Sequence, residues 1–243
     1  MDLSFIYETL LAILPGVPLT LQLALGSVFL GFFLALALAS MQRSSNRVLQ
    51  SLARLYVLFF RGTPLLVQLF LIYYGLGQFP AVRDSFLWPL LREPYWCALL
   101  SLTLCTGAYA SEIIRGGLQS VPAGQIEAAR ACGMPSWMIF KRIVVPLAIR
   151  QAFPAYGNEL ISMIKSTSLA SIITLMEITG IAARIIAETY RALEVFLIAG
   201  ALYLVINLVL TRLVARLEFR LSPHLRAPQS LAEVKNMQNL GDR

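Results

Sequence analysis

Long runs of apolar residues constrain this chain more than any other feature of its sequence. Four stretches, residues 19–41, 55–78, 95–114 and 193–211, are each close to the ~20 residues that a helix needs to cross a bilayer. A fifth, residues 152–175, is long enough but contains several polar side chains. Because backbone groups in lipid must be satisfied within their own segment, we predict an all-α membrane protein with about five transmembrane helices.

The composition supports this assignment. Of the 243 residues, 58% are hydrophobic and only 14% are charged, whereas soluble domains are about half apolar and about a quarter charged. The net charge of +7 would suggest a nucleic-acid partner in a soluble protein. Here most arginines flank the apolar stretches, so we attribute the charge to cytoplasmic loops and expect no nucleic acid.

The basic residues concentrate in alternate loops, which predicts the orientation of the chain. The first and third loops carry the groups Arg43, Arg47, Arg54 and Arg61, and Arg115, Arg130, Lys141, Arg142 and Arg150. The second and fourth loops are balanced, and in the fourth Glu177 and Glu188 offset two arginines. The positive-inside rule therefore predicts an external N-terminus and a cytoplasmic C-terminus.

The end of the chain is basic and then polar. Arg212, Arg216 and Arg220 recur every four residues, which indicates either a helix end along the cytoplasmic surface or a basic stop-transfer flank. We predict a single transmembrane domain over residues 1–221 and a cytoplasmic polar tail at 222–243, which includes the only histidine, His224.

The fourth apolar stretch contains "NELISMIKSTS" at residues 158–168. In a helix Asn158, Ser162 and Lys165 share one face, and Glu159 lies on the neighbouring face. Glu159 and Lys165 are six positions apart, so they cannot form an ordinary i,i+4 ion pair. Glu159 therefore needs a partner from another helix, a second chain, water or a cationic ligand.

The loop at residues 120–146 has the pattern of two short helices joined by a sharp turn. Pro122 suits a helix start, Gly133 suits a left-handed helix end, and Ser136 follows a proline that can restart a helix. Ala128 and Ala129 leave a smooth face that could enter a groove on a partner, with Glu127 as a charged contact. An ordinary amphipathic connector remains the alternative.

Two local patterns have structural interpretations. Glu112 and Arg115 are three positions apart and predict a local salt bridge. Arg61, Thr63 and Pro64 are interpreted as a structural entry to the second apolar stretch.

The segment "EAARACG", followed by Ile143 and Pro146, resembles the signature loop of permease subunits of bacterial ATP-binding-cassette importers, with Val145 where leucine is usual. The segments at 60–76, 108–134 and 158–173 resemble the polar-amino-acid subfamily. The segment "FLWPLLREPYWCALLSLTL" at 86–104 is similar to its histidine, lysine–arginine–ornithine and octopine/nopaline members. The resemblance covers about residues 15–225.

This resemblance implies a type I importer fold in the bacterial inner membrane and a permease dimer, leaning to a heterodimer with a second permease. It also implies two ATPase subunits that dock on the 120–146 loop, a coupling helix in that loop, and a periplasmic solute-binding protein. It assigns the ATPase contact to Glu127, Ala128, Ala129 and Gly133. The sequence lacks a Gly-rich phosphate loop, so we expect ATP and Mg²⁺ to be bound by the ATPase, with no cofactor, metal or catalytic residue in this chain.

For the substrate, the resemblance places Glu159 at a position similar to one that contacts the bound amino acid, with Asn158 and Ser162 beside it. A structural pair with another helix is the alternative for Glu159. Gln68 is a further candidate, although a helix-to-helix hydrogen bond suits it better. Lys165 could receive a substrate carboxylate, or it could brace the other subunit or a backbone carbonyl.

The sequence therefore predicts a permease subunit for a polar, cationic amino acid or an arginine-derived opine, driven by ATP hydrolysis in partner subunits. The alternatives are an ion-coupled secondary transporter or channel that uses Glu159 and Lys165 as a relay, and a membrane-embedded enzyme. The lack of a second inverted repeat argues against the transporter, and the lack of a nucleophile–base pair argues against the enzyme.

Overall fold

Helices make up all the regular secondary structure in residues 3–221, the part of the chain that the computed structural model describes. The predicted tail at 222–243, including His224, lies outside the described residues. The helical structure of residues 3–221 agrees with the all-α prediction.

The first crossing is longer than the predicted 19–41. Helix α1 (Leu3–Ile13) is joined by a single 3₁₀ turn to α2 (Val17–Gln42), and together they form one helical rod of 40 residues. The sequence analysis did not predict α1. Gly16, in the turn, is where this rod touches a later helix, since a Cβ there would lie 2.7 Å from the backbone nitrogen of Ile178.

The second predicted crossing, 55–78, is not one straight helix. Helix α3 (Arg47–Gly62) ends at Thr63, which is extended, and the chain bends by 105° into the helical segment Leu65–Gln78, which begins with α4 (Leu65–Phe70). Pro64 explains the break, because its ring disfavours helical geometry at the preceding residue. The structural interpretation of Thr63 and Pro64 agrees with this break.

Two short helices, α5 (Pro80–Arg83) and α6 (Trp88–Leu91), lead into α7 (Pro94–Gln119). Helix α7 contains the predicted third crossing and runs beside α2. Small residues bring the two helices together: a Cβ on Gly31 would lie 2.8 Å from the Thr106 side chain. This parallel pair is the centre of the bundle.

The 120–146 loop forms α8 (Ala123–Ala131) and α9 (Ser136–Ile139), and then a π-helical turn leads into α10 (Val145–Ser166). Helix α10 packs against α7 and contains Pro154, which has no N–H to donate to the preceding turn.

A 3₁₀ segment (Thr167–Ile173) continues α10, and the chain then turns into α11 (Ile178–Thr189) and α12 (Ala192–Leu221). The turn contains Thr174 at φ 73°, a left-handed conformation that is rare for a β-branched residue. Helix α12 continues as one helix through the basic residues Arg212, Arg216 and Arg220, beyond the predicted end at 211.

Three helices of the described region are long and apolar enough to cross a membrane, namely Leu3–Gln42, Pro94–Gln119 and Ala192–Arg220. The count reaches five when each bent pair, α3 with Leu65–Gln78 and Ser136–Ile173 with α11, is taken as one crossing. The predicted number of five is therefore the upper count.

Two clusters of buried apolar residues hold the described helices together. One, around Leu23, Leu99, Leu102 and Met163, joins α2, α7 and α10. The other, around Ile13, Ile178 and Val195, joins α1, α11 and the start of α12.

Candidate functional site

The polar stripe of α10 has two faces, as helical spacing predicts. Asn158 and Lys165 are exposed and Ser162 is partly exposed, whereas Glu159 is only 9% exposed. The structure therefore brings Asn158, Ser162 and Lys165 together on an open side of the chain and directs Glu159 inward.

Glu159 is a buried acid with an incomplete set of hydrogen bonds. Its Oε1 atom is buried and has no hydrogen-bond partner within the described residues. A buried polar atom without a partner is uncommon in proteins and requires an explanation, such as a ligand or water.

Tyr156, one turn before Glu159, does not fill this role. Its hydroxyl donates to the backbone oxygen of Val28 at 3.1 Å and so ties α10 to α2. Gly157 brings α12 close, since a Cβ there would lie 2.3 Å from a methyl group of Val214. Glu159 is therefore held on a helix that is anchored on both sides.

Glu159 and Lys165 form no ion pair within the described region. Lys165 instead lines an open groove of about 370 Å³ together with Thr179 and Tyr203. The side chains point to different regions, which agrees with their offset around the helix.

Gln68 lies on α4, a different helix from the polar stripe of α10. Its Nε2 donates to the backbone oxygen of Phe60 at 2.9 Å and to the backbone oxygen and Oγ1 of Thr63 at 3.1 and 2.9 Å. These bonds join α4 to the end of α3 across the bend. The amide nitrogen makes the helix-to-helix hydrogen bond that suits this residue, whereas its Oε1 atom is buried without a partner in the described region, so the ligand contact stays a prediction.

The loop between α7 and α10 has the predicted helix–turn–helix form. Gly133 adopts φ 73°, its N–H donates to Arg130 at 2.9 Å, and the N–H of Met134 donates to Ala129 at 3.1 Å. This pair of bonds is the Schellman motif, and it confirms the predicted left-handed helix end. Ser136 begins α9, as predicted.

The exposed face of α8 differs from the expected one in one respect. Glu127 and Ala128 are exposed, but Ala129 is only 7% exposed and faces the interior of the loop. The expectation that Ala129 belongs to the smooth outer face was wrong, because α9 and the π-helical turn after it pack against α8.

The predicted salt bridge between Glu112 and Arg115 is confirmed, with the guanidinium donating to both carboxylate oxygens at 2.5–3.2 Å. Sequence reasoning missed the rest of the cluster. Gln42 donates to Glu112 at 3.0 Å, and Arg61 approaches it at 3.9 Å. The carboxylate therefore joins α2, α3 and α7, and no local spacing could have indicated those contacts.

Glu177 was counted among the charges of the balanced fourth loop, and the structure shows that it is not a solvated loop charge. It is fully buried and caps α11 by accepting hydrogen bonds from the N–H groups of Thr179 and Gly180, both at 2.9 Å. The Tyr203 hydroxyl donates to it at 2.6 Å, which ties α11 to α12. An acid at a helix N-terminus interacts favourably with the free N–H groups there, which the loop-charge argument overlooked.

This chain is similar to membrane components of known transport systems. Residues 27–223 match the family described as binding-protein-dependent transport system inner membrane component. An octopine transport system permease protein from Rhizobium meliloti is 57% identical, and the alignment covers 96% of this chain and 97% of that protein. A histidine/lysine/arginine/ornithine transport system permease protein from Escherichia coli is 43% identical over 87% of this chain and 89% of that protein.

A solved structure has the same fold. The crystal structure of an amino acid ABC transporter with histidines contains a chain that superposes with a TM-score of 0.82 at 34% identity. The superposition covers 90% of this chain and 99% of that one.

Proposed function

This chain belongs to the family of binding-protein-dependent transport system inner membrane components, and we propose that its substrate is cationic. Its role is that of the permease subunit of an ATP-driven amino-acid or opine importer in the bacterial inner membrane. The substrate class is a polar amino acid with a cationic side chain or an arginine-derived opine. The observation that carries this proposal is the buried, incompletely bonded carboxyl group of Glu159.

The chemistry of Glu159 suits a guanidinium, imidazolium or ammonium group. Its Oε1 atom is buried without a partner in the described region, so a cationic donor would complete its hydrogen bonds. The similar permeases from Rhizobium meliloti and Escherichia coli are named for octopine and for histidine, lysine, arginine and ornithine. A cationic group shared by these substrates is consistent with an acidic side chain at position 159.

The exposed face of α10 supplies the remaining contacts. Asn158 and Ser162 lie one turn apart and would offer an amide and a hydroxyl to the amino and carboxylate groups of the substrate. Lys165 is exposed near the C-terminal end of α10, where it would meet a second permease subunit or a substrate carboxylate. The translocation path then runs along α10 between two permease chains.

Permeases of this family act with ATPase subunits and a solute-binding protein, and the chemical step belongs to the ATPase. In this chain we assign the ATPase contact to exposed Glu127 and Ala128. Gly133 sets the turn, and buried Ala129 supports the loop from inside. Closure of the ATPase dimer would then move α8 and, through α10, the substrate site.

We assign the second permease to a chain of different sequence, on the resemblance to histidine and octopine systems. The mass of the purified complex tests this assignment, since two copies of this chain in one complex would contradict it. The ion-coupled alternative gains no support from the similar proteins described above, which are named as permeases and as an amino acid ABC transporter.

The substrate proposal is tested by uptake into proteoliposomes that contain the complete complex. Glu159→Gln keeps the size of the side chain and removes its charge. Removing one partner of a buried charge pair costs 2–5 kcal/mol or more, so cationic uptake is expected to fall by about thirtyfold or more. Uptake of a neutral amino acid should fall much less. Exposed Glu188→Gln, on α11, is the matched control and should leave both unchanged.

Equal losses of cationic and neutral uptake would show that Glu159 has a structural role. The coupling assignment has a separate test. Glu127→Ala should lower ATP-driven uptake and co-purification of the ATPase, whereas Gln125→Ala, on an exposed position of the same helix, should not. Normal transport by the Glu127 variant would contradict that assignment.

A further inference from the structure

Helix α3 carries a row of arginines along one side. Arg47, Arg54 and Arg61 are spaced by seven residues, and at 3.6 residues per turn they lie within about 40° of one another around the helix. The first and last are about 21 Å apart along the axis at ~1.5 Å per residue. All three side chains are exposed.

The charge of this row is largely uncompensated. Arg54 makes no ion pair within the described residues. Arg61 lies over the Tyr109 ring at 5.2 Å and approaches Glu112 only at 3.9 Å. Glu112 is already bonded by Arg115 and Gln42, so its charge is shared with a closer partner.

The face beside the arginines is apolar and open. Val48, Leu52 and Leu55 are 65%, 53% and 63% exposed, and Phe59 is 48% exposed. Only Ala53 and Val57 of α3 are buried in the bundle. A helix with a basic face next to an apolar face is typical of segments that lie in the interface of a membrane rather than across it.

The bend after α3 also favours a position of this helix in the membrane interface. Were α3 collinear with the helix that follows, its arginine row would run deep into the hydrocarbon, where arginine is strongly disfavoured. The turn of 105° at Thr63 and Pro64 instead allows α3 to lie flat while the segment Leu65–Gln78 enters the bilayer. The arginines can then remain at one depth.

A cleft of about 430 Å³ opens between α3 and the ends of α2 and α7. Arg54 and Arg61 line it together with Gln42, Tyr109 and Glu112. We propose that α3 lies in the membrane interface on the side where the basic loops are predicted, and that its arginine row and this cleft bind the phosphate of an anionic phospholipid. The apolar face favours a lipid over an acidic protein surface, because acyl chains would cover Leu52, Leu55 and Phe59.

The first test measures lipid preference of the complete complex in detergent–lipid micelles, with spin-labelled phosphatidylglycerol and spin-labelled phosphatidylcholine as probes. The wild-type complex should prefer phosphatidylglycerol. At ~1 kcal/mol per arginine near an anionic surface, Arg54→Gln should lower that preference about fivefold and the double variant Arg54→Gln/Arg61→Gln about thirtyfold. Because Arg54 has no ion-pair partner in the described part of the chain, the single variant should fold normally.

The matched control is the double variant Arg83→Gln/Arg92→Gln, which removes two exposed arginines from the opposite loop. It should keep the wild-type preference. A wild-type complex without preference for phosphatidylglycerol, or an equal loss in the control, would overturn the proposal. Crosslinking of Arg54→Cys to the ATPase without any lipid preference would also overturn it, since the row would then contact a protein.

The second test measures depth. In a Cys132→Ser background, Val48→Cys and Phe59→Cys carry a fluorophore on the open face, 11 positions apart. Lipids with a quencher near the headgroup should quench both labels more than lipids with a quencher deep in the chain. A change from shallow to deep quenching between the two positions would show that α3 crosses the membrane.

Discussion

The contact between α7 and α10 predicts opposite effects for two adjacent glycines. A Cβ on Gly117 would lie 2.7 Å from the backbone oxygen of Ala148, whereas a Cβ on Gly116 would have no atom within 4 Å. Ordinary contact begins at 3.4 Å, so Gly117→Ala requires α10 to move by 3.4 minus 2.7, or 0.7 Å. The backbone oxygen of Ala148 cannot rotate away as a side chain can, so α10 as a whole must shift.

The magnitude follows from two terms. Alanine is favoured over glycine inside a helix by ~0.8–1.0 kcal/mol, and this gain applies to both variants. Overpacking typically costs 1–3 kcal/mol and applies only to Gly117→Ala. The variants should therefore differ by about 1–3 kcal/mol, with Gly116→Ala as stable as the wild type or more stable.

The assay is thermal unfolding of the purified complex in one detergent, followed by substrate uptake. Gly117→Ala should unfold at a lower temperature than Gly116→Ala and should transport more slowly, since α10 carries Glu159. Equal unfolding temperatures for the two variants would refute the close packing of α7 against α10.

Three further predictions rest on single side chains. Gln68→Ala removes the bonds across the bend and leaves partly buried acceptors unpaired, so it should destabilise by about 1–3 kcal/mol. Exposed Gln78→Ala should change thermal stability little, and equal effects of the two variants would contradict the role of Gln68. Glu177→Ala removes the whole cap of α11 and should lower the free energy of unfolding by about 1.5–3 kcal/mol, whereas Tyr203→Phe removes one of the three hydrogen bonds to Glu177 and should lower it by about 1 kcal/mol. Thermal melts that rank the two variants in the reverse order would contradict the cap. Gly133→Ala meets no atom but must adopt a left-handed conformation at a cost of ~1–2 kcal/mol, so limited proteolysis should cut the 120–146 loop faster than in the wild type; an unchanged rate would argue against the turn.

The parts of the fold that depend on neighbouring residues could be predicted from the sequence. The salt bridge of Glu112 with Arg115 needs only three-residue spacing in a helix, and the left-handed turn at Gly133 needs only the local chain. The separation of Glu159 from Lys165 likewise follows from helical geometry. The long apolar runs indicated the crossings for the same reason.

The bend at Thr63 was not predicted, although Pro64 was visible as a signal. Apolar composition continues through the break, so a hydropathy argument alone could not separate α3 from the crossing that follows. The burial of Glu177 was missed because counting loop charges treats every acid between two crossings as solvated.

The sequence by itself determined that this chain is a helical membrane protein and which family it resembles, because apolar length and a spaced loop signature are properties of consecutive residues. Only the tertiary structure decided which polar side chains have partners. Glu112 receives Gln42 from 70 positions away, and Glu177 receives Tyr203 from 26 positions away. Glu159 has a carboxylate oxygen without a partner in the described region. Hydrogen bonds across such separations depend on how helices pack, and helix packing is set by the whole chain rather than by any one segment of it.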